Sequence, residues 1–231
     1  MLAILSDVHA NLEALQAVMD DVERRNIQDV YCLGDMIGYG PDPAPCLAIC
    51  RSFQLCLAGE LEQFIANPID ENDSVMKRLE RHHRWNRSQL TTEQIQYLSG
   101  LKNCHSDNEV TFAHGSPLDY VDGYLFPEHI YETQKMERVF AAFDGIFLCG
   151  HTHLPGVHQK TEFHLPVTID DKFRPNGKQA VINVGSVGQP RDEDPRACYV
   201  IYDGSTIEFI RVEYDVETTK RKIRDLGWPP Y

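Results

Sequence analysis

Four apolar segments of this 231-residue sequence end in aspartate or histidine, residue types that bind divalent transition metals in proteins. In an extended chain, side chains two residues apart point to the same side, so Asp7 and His9 can grip a single ion. Asp35 follows a glycine, which leaves its carboxylate free to bridge two ions. One such segment end has little meaning, but four in one chain predict a metal site. The four ends read, in chain order, Ser6-Asp7-Val8-His9, Gly34-Asp35, Ala113-His114-Gly115 and Gly150-His151-Thr152-His153.

The elements that must position these residues are visible in the hydrophobic pattern of the first half. Apolar residues at helical spacing follow the first strand, and Asn11 is placed to cap that helix. The order β-α-β-α-β predicts a parallel sheet whose ligand-binding loops lie at the carboxyl ends of its strands. The predicted strands are residues 2–7, 29–35 and 53–59, with helices over residues 11–25 and from about Pro45.

The second half of the chain is richer in predicted strands. It follows a helical segment, residues 72–101, in which Thr91 and Gln94 resemble a capping box. Residues 203–205, Asp-Gly-Ser, predict a hairpin, and residues 156–178 predict an irregular excursion with short strands. No linker demands a second domain, so we expect a single domain over residues 1–231. The predicted strands are residues 108–115, 145–151, 179–186, 197–204 and 206–214, before a short final helix that ends near Leu226.

The composition narrows the classes of partner. The chain has 22 Lys plus Arg against 35 Asp plus Glu, a formal charge of -13, which disfavours nucleic acid and anionic membranes. The basic cluster at residues 81–87 is better interpreted as a solvated helix face with one docked tryptophan. We find no basic leader and no apolar run of roughly 18 residues, and the seven cysteines form no C-x-x-C pair. These features predict a cytoplasmic protein with buried free thiols and no membrane contact.

Five motifs in order give the chain a family resemblance. They are SDVHANLEAL, LGDMIGYGPDP, HGSP, CGHTHLP and NVGSVGQPRD, and they extend over nearly the whole sequence. The sequence resembles a calcineurin-like metallophosphoesterase of the small bacterial and archaeal branch related to cyclic-nucleotide and aryl-phosphodiester phosphodiesterases. The resemblance implies an α/β fold, a four-layer α/β/β/α sandwich of two mixed sheets flanked by helices, with a dinuclear site at one sheet edge.

The resemblance also implies roles for individual residues. It implies catalytic roles for Asp35, Asn11 and His114 and places Asn11 near the substrate phosphate. Arg191 is a second candidate for phosphate binding, although an exposed loop arginine is more often a surface ion-pair partner. Mixed imidazole and carboxylate ligands suit manganese, iron, zinc or nickel, and two such ions would clamp a phosphoryl group while a bridging hydroxide attacks phosphorus. Carried over residue by residue, the resemblance places Asp7, His9 and His153 on one ion, Asp35 between the ions, and His114 and His151 on the second.

One motif departs from the family pattern. Where the family has G-N-H-D or G-N-H-E, this chain has Gly59-Glu60-Leu61-Glu62. Glu60 either binds the second metal through a carboxylate in place of the amide, or turns away and only favours the helix N-terminus. Leu61 replaces the histidine interpreted as the general acid, a loss that typically costs about 10²–10⁴-fold in rate. His105 or His158 is a possible substitute, but nothing in the sequence places either one.

Other residues near the motifs keep two interpretations. Asn183 and Ser186 either line the site or close a strand end, whereas Tyr39 and Pro41 are expected to shape their loop rather than bind ligand.

The sequence therefore predicts a metal-dependent phosphoesterase, a phosphodiesterase or phosphatase that acts on a small phosphoester. A catalytically impaired binding or scaffold protein of the same fold is the first alternative, because of Leu61, and a nuclease is the second. The substrate, the native metal and the oligomeric state stay open.

Overall fold

The computed structural model describes residues 1–66, 83–166 and 172–228, and these residues form two six-stranded mixed sheets flanked by helices. Residues 67–82, which include the first part of the helical segment predicted over 72–101, lie outside the described residues. The strands are β1 Leu2–Leu5, β2 Asp29–Cys32, β3 Leu55–Cys56, β4 Cys104–Asp107, β5 Val110–Ala113, β6 Ile146–Cys149, β7 Gly156–Gln159, β8 Glu162–His164, β9 Lys172–Phe173, β10 Ala180–Asn183, β11 Ala197–Tyr202 and β12 Ile207–Val212.

The first sheet has the strand order β3-β2-β1-β11-β12-β9. β1 pairs in parallel with β2, and β2 with β3, as the β-α-β-α-β pattern predicts. β11 and β12 join as an antiparallel pair across the predicted hairpin, where the Asp203 carboxylate accepts the backbone N–H groups of Ser205 and Thr206. The carboxyl ends of β1 and β2 therefore lie side by side.

The second sheet has the order β4-β5-β6-β10-β7-β8, in which β5, β6 and β10 are parallel neighbours. Their carboxyl ends carry His114, the segment 150–153 and Val184. The short strands β7, β8 and β9 come from the predicted excursion over residues 156–178. Residues 167–171 of that excursion lie outside the described part of the chain.

The helices cover the outer faces of the two sheets. Asn11 caps α1, Leu12–Arg24, as predicted, by accepting the Ala14 backbone N–H at 3.2 Å. Thr91 and Gln94 form the predicted capping box. Trp85, in the helical residues 83–88, packs edge-on against Trp228, as expected of a docked tryptophan. After α1, the labelled helices are α2 Pro43–Cys50, α3 Glu60–Ala66, α4 Thr92–Ser99 (the helix of the capping box), a 3-10 turn Pro127–Tyr131, α5 Thr133–Ala141 and α6 Val216–Asp225.

Three apolar clusters define the layers. One contains Leu15 of α1 and Tyr199 of the first sheet, so it lies between the helices and that sheet. A second contains Ile4 and Leu148, one from each sheet, and fills the space between the sheets. The third contains Val139 of α5 and Phe147, and covers the outer face of the second sheet. This arrangement confirms the predicted four-layer sandwich.

Several elements differ from the sequence prediction. β4 and α5 were not predicted, and β3 has two residues where the pattern predicted seven. β4 reads Cys-His-Ser-Asp, a polar sequence that is half-buried to exposed at the edge of the sheet, and its strand conformation depends on antiparallel pairing with β5. No helix in the described ranges is long and apolar enough to cross a bilayer.

Candidate metal centre

The structure brings all seven predicted metal ligands together where the loops of both sheets meet. Three groups of donor atoms, each group within 4.8 Å, contain these residues. The groups are Asp7, His9 and His153; Glu60, His114 and His151; and Asp7, Asp35 and His114.

The first group joins the loop after β1 to the loop after β6. His9 Nε2 and His153 Nε2 are 2.9 Å apart, and His153 Nε2 is 3.2 Å from Asp7 Oδ1. His9 Nε2 lies 3.7 Å from the same oxygen. All three side chains are buried, so their donor atoms converge on one small space shielded from water.

The second group includes the residue that departs from the family pattern. Glu60 Oε2 lies 2.8 Å from His114 Nε2 and 2.9 Å from His151 Nδ1, and the two imidazole nitrogens are 3.1 Å apart. Glu60 is the first residue of α3, and its carboxylate faces the imidazoles instead of turning toward solvent. It therefore has the orientation that ligation requires.

Two aspartates connect the groups. Asp35 Oδ2 is 3.9 Å from His9 Nε2 and 3.6 Å from His114 Nε2. Asp7 Oδ1 is 3.9 Å from His114 Nε2, and its other oxygen accepts the backbone N–H of His151 at 3.0 Å. The carboxylate of Asp35 thus lies between one imidazole of each group.

The donor atoms fit divalent cations. Asp7 Oδ1 and Asp35 Oδ2 are buried and accept no hydrogen bond from the described residues. A buried carboxylate oxygen without a partner is costly, and a metal ion is the partner that four imidazoles and three carboxylates are suited to share. The chemistry of the donor set, borderline nitrogen with hard oxygen, favours manganese, iron, zinc or nickel over magnesium or calcium.

Burial and the neighbouring charges shift the pKa values of the donor side chains. Burial, and then the charge of Glu60, raises the pKa of Asp35 well above its usual value. Burial opposes charge on His114 too, but Asp35 and Asp7 outweigh it and raise the pKa of His114. For Glu60, hydrogen bonds from His114 and His151 outweigh burial and hold its pKa well below the usual value. A cation between these groups would stabilise the ionised form of the Asp35 carboxyl.

The backbone at five of the seven donor residues is left-handed instead of extended. Asp7 and His9 do reach one ion-sized space, but through a tight turn after β1 and not through the strand geometry expected from their spacing. Five backbone hydrogen bonds join residues 7–10 to the loop after β2, including His9 N–H to Asp35 O at 2.9 Å. Left-handed non-glycine residues cost on the order of 1 kcal/mol each and concentrate at functional sites. The φ angles are Asp7 56°, His9 48°, Asp35 52°, His151 68° and His153 62°.

A fully buried carboxylate, that of Glu62, positions the Asp35 loop. Its Oε2 accepts the backbone N–H groups of Asp35 at 2.7 Å and Gly59 at 2.9 Å. Its Oε1 accepts those of Met36 at 2.9 Å and Ile37 at 3.4 Å. Burial raises the pKa of Glu62, and the first two of these bonds partly offset the shift. In the sequence, only its place in the motif Gly59-Glu60-Leu61-Glu62 pointed to Glu62.

Leu61 packs into the protein instead of facing the donor atoms. The side chain is 1% exposed, and a Cβ added to Gly38 would come within 2.3 Å of Leu61 Cδ1. Its backbone N–H donates to Asp35 Oδ1 at 3.0 Å. Leu61 therefore supports the loop through residue 38 and supplies no proton.

Asn11, Asn183 and Ser186 make internal hydrogen bonds. Asn11 Nδ2 donates to Gly188 O at 2.9 Å and to the Tyr214 hydroxyl at 3.3 Å, while its oxygen caps α1 and accepts from Thr219. A substrate contact by Asn11 would have to replace one of these bonds. Asn183 Nδ2 donates to Gly150 O, and Ser186 Oγ donates to Asp7 O, so both hold the ligand loops from behind.

Arg191 and two aromatic rings lie at the opening of the site. Arg191 is exposed and donates to Gln189 at 2.8 Å. The Tyr39 ring is 4.8 Å from that of His9, so Tyr39 does border the site as well as shape its loop. The Tyr124 ring, which belongs to none of the sequence motifs, is 3.9 Å from that of His151.

Neither histidine considered as a substitute acid is in one of the three donor groups. His105 lies on β4 and stacks on Phe112. His158 lies on β7, where its Nε2 donates to Phe126 O at 3.1 Å. Their surroundings are therefore those of structural histidines.

Comparison with known proteins agrees with this geometry. A sequence profile of the calcineurin-like phosphoesterase superfamily domain matches residues 1–206. The uncharacterized protein MJ0912 of Methanocaldococcus jannaschii is 34% identical, over 96% of this chain and 91% of that protein. A metallophosphoesterase from Sphaerobacter thermophilus is also 34% identical and superposes with a TM-score of 0.84, over 99% of this chain and 94% of its own. Hypothetical protein PH1004 from Pyrococcus horikoshii, 20% identical, shares the fold with a TM-score of 0.76, over 99% and 95% of the two chains. The chain belongs to the calcineurin-like phosphoesterase superfamily.

Proposed function

We propose that this chain hydrolyses phosphodiesters or activated phosphate esters at a centre that holds two divalent transition-metal ions. Family membership supports metal-dependent phosphoester hydrolysis in general. The observation that carries the finer proposal is the third donor group, in which Asp7, Asp35 and His114 join the other two groups into one site. Because both sheets supply donors to this site, we treat residues 1–231 as one domain.

Each part of the site has a distinct task in the proposal. Ions held there would act as Lewis acids on a phosphoryl oxygen and would lower the pKa of a water molecule that attacks phosphorus. The Asp35 carboxylate faces both donor groups and links them, while Glu62 holds the Asp35 backbone by a hydrogen bond. Burial of the donor side chains excludes bulk water and so strengthens their hold on charge. One ion would take Asp7, His9 and His153, and the other Glu60, His114 and His151.

The kind of leaving group that the site favours follows from the absence of a proton donor at Leu61. A leaving alkoxide needs a proton, and the buried Leu61 cannot give one, whereas an aryl oxide leaves without protonation. The Glu60 carboxylate adds negative charge beside the second group, which disfavours a dianionic monoester relative to a monoanionic diester. Phosphodiesters and activated esters are therefore favoured over alkyl monoesters. The charge of -13 disfavours nucleic-acid substrates, so a small phosphoester is the proposed partner.

Hydrolysis of bis(4-nitrophenyl) phosphate tests this proposal. With added Mn²⁺, the protein should release 4-nitrophenol from this diester faster than it releases inorganic phosphate from an alkyl monoester such as glycerol phosphate. Asp35→Ala should abolish turnover, whereas Asp29→Ala, at the exposed other end of β2, should not. Absence of turnover above the buffer rate with manganese, iron, zinc and nickel would contradict the proposal.

A binding protein without turnover is the second candidate, favoured by the burial of Leu61 and by the extra charge of Glu60. The double variant Glu60→Asn, Leu61→His restores the family pattern. A gain of about 10²-fold or more from an inactive parent would identify the parent as a binding protein. A small change from an active parent would identify an enzyme.

A further inference from the structure

A cavity of about 240 Å³ adjoins the metal centre on the side of His9. His9, Asn11 and Tyr39 line the cavity, and the Tyr39 ring is 4.8 Å from that of His9. Tyr214, which precedes α6, and Val216, its first residue, also line it. The cavity therefore shares His9 with the first donor group, and its other lining residues lie outside the three groups.

The wall at Tyr39 is fixed by the backbone around it. Tyr39 has a left-handed backbone, with φ 50°, between Gly38 and Gly40. A Cβ at Gly40 would come within 2.2 Å of the His9 carbonyl oxygen, so this loop lies directly on the turn after β1. Leu61 packs against Gly38 from the other side. The Tyr39 ring is thereby held edge-on to His9.

The opposite wall is fastened to the same turn. The Tyr214 hydroxyl accepts a hydrogen bond from Asn11 Nδ2 at 3.3 Å, and Thr219 of α6 donates to Asn11 Oδ1 at 3.0 Å. Lys222 of α6 also pairs with Asp42 at 2.7 Å. These contacts fasten α6 and the nearby Tyr214 to Asn11 and Asp42, so the fold itself forms the cavity.

The lining selects an uncharged ring. It is mainly apolar or aromatic: besides the two tyrosines it contains Val216 and Ile223 of α6 and prolines from the loop after β10. Among the described residues that line it, none carries a carboxylate, and the Lys220 ammonium is paired with Glu217 at 3.0 Å. The volume is below the roughly 300–1,000 Å³ of sites for drug-sized ligands, so it suits one small ring system.

We propose that this cavity binds an aromatic ester group of the substrate whose phosphoryl group lies at the metal centre. The proposal rests on the proposed function, since the phosphoryl position is taken from it. Tyrosine faces and aliphatic side chains favour a flat ring over an alkyl chain of equal size, because offset or edge-on ring pairs add to apolar burial. An aryl or heteroaryl phosphodiester is the substrate class that such a cavity beside such a centre would select.

Binding of two phosphonates, which are not hydrolysed, tests the cavity without turnover. Titration calorimetry on Mn²⁺-loaded protein should show phenylphosphonate binding about tenfold or more tightly than methylphosphonate. Val216→Trp, which fills the cavity, should remove most of that preference. Arg221→Trp, on the exposed side of the same helix, is the matched control and should keep it.

The outcomes separate the two proposals. Equal affinity of the wild-type protein for both phosphonates would overturn the cavity proposal, even when the protein hydrolyses bis(4-nitrophenyl) phosphate, and this comparison needs no variant to fold. A phenyl preference that survives Val216→Trp would also overturn it. A phenyl preference lost in Val216→Trp, in a protein that hydrolyses no phosphoester, would support the cavity while the proposed catalysis failed.

Discussion

Replacing Glu62 with glutamine is expected to destabilise the loop that carries Asp35. The fully buried carboxylate accepts four backbone N–H groups, two on each oxygen. Glutamine keeps one acceptor oxygen. Its amide nitrogen, which donates and does not accept, would face the two backbone N–H groups that the other oxygen accepted. Either orientation of the amide therefore loses two hydrogen bonds, whichever oxygen position the nitrogen takes.

The magnitude follows from those two bonds. A hydrogen bond to a charged acceptor contributes about 1.5–3 kcal/mol, so the loss is about 3–6 kcal/mol. Removing the charge also removes its cost of burial, which favours the low end, about 3 kcal/mol. Because domains are stable by only about 5–15 kcal/mol, the variant should fold but unfold at clearly lower urea concentration.

Urea unfolding and Mn²⁺ titration of the same preparations measure the effect. Glu62→Gln should lower the free energy of unfolding by about 3 kcal/mol and weaken metal binding about 10–100-fold through Asp35. The control Glu93→Gln removes an exposed ion pair with Arg51 and should change stability by less than about 1 kcal/mol. If Glu62→Gln unfolds like the wild-type protein and binds Mn²⁺ equally well, the assigned role of Glu62 is wrong.

Two further predictions concern the turn at His9 and a buried histidine. Gly40→Ala places a methyl group 2.2 Å from the His9 carbonyl oxygen and should weaken Mn²⁺ binding in the same titration, whereas Gly100→Ala meets only an ordinary 3.5 Å contact and should not; equal weakening by both would contradict this. Burial lowers the pKa of His158 to about 4. In the unfolded chain this imidazole has a pKa of about 6.5, so the unfolded chain binds the proton first as pH falls. Stability should therefore drop by roughly 2 kcal/mol from about pH 7.5 to about pH 5 on account of this residue, and a urea series in which His158→Gln keeps the full drop would refute the assignment.

Much of the fold and the set of donor residues was accessible from the sequence for a physical reason. Apolar strand segments are local patterns, and parallel strands bring their carboxyl ends to one edge, so Asp7 and Asp35 had to be neighbours. The placement of His114 and His151 depended on a second sheet whose pairing is non-local. Its arrangement came from the family resemblance, since local periodicity does not determine how two sheets stack.

Other features were hidden because they depend on contacts distant in the chain. Glu62 looks like an ordinary acidic residue of a helix start, yet it binds backbone more than 20 positions away. Tyr124 borders the site through a loop with no motif of its own. The left-handed turns at the ligands were missed because spacing alone suggested extended strand, and only packing against the loop after β2 stabilises them.

The number and position of bound metal ions test the proposed centre most directly. We would grow crystals of the protein with Mn²⁺ and collect diffraction data on both sides of the manganese absorption edge. Two anomalous peaks are expected, one among Asp7, His9 and His153 and one among Glu60, His114 and His151, with Asp35 reaching both. No peak, or a single peak that leaves Glu60 directed away from metal, would contradict a dinuclear centre in this chain.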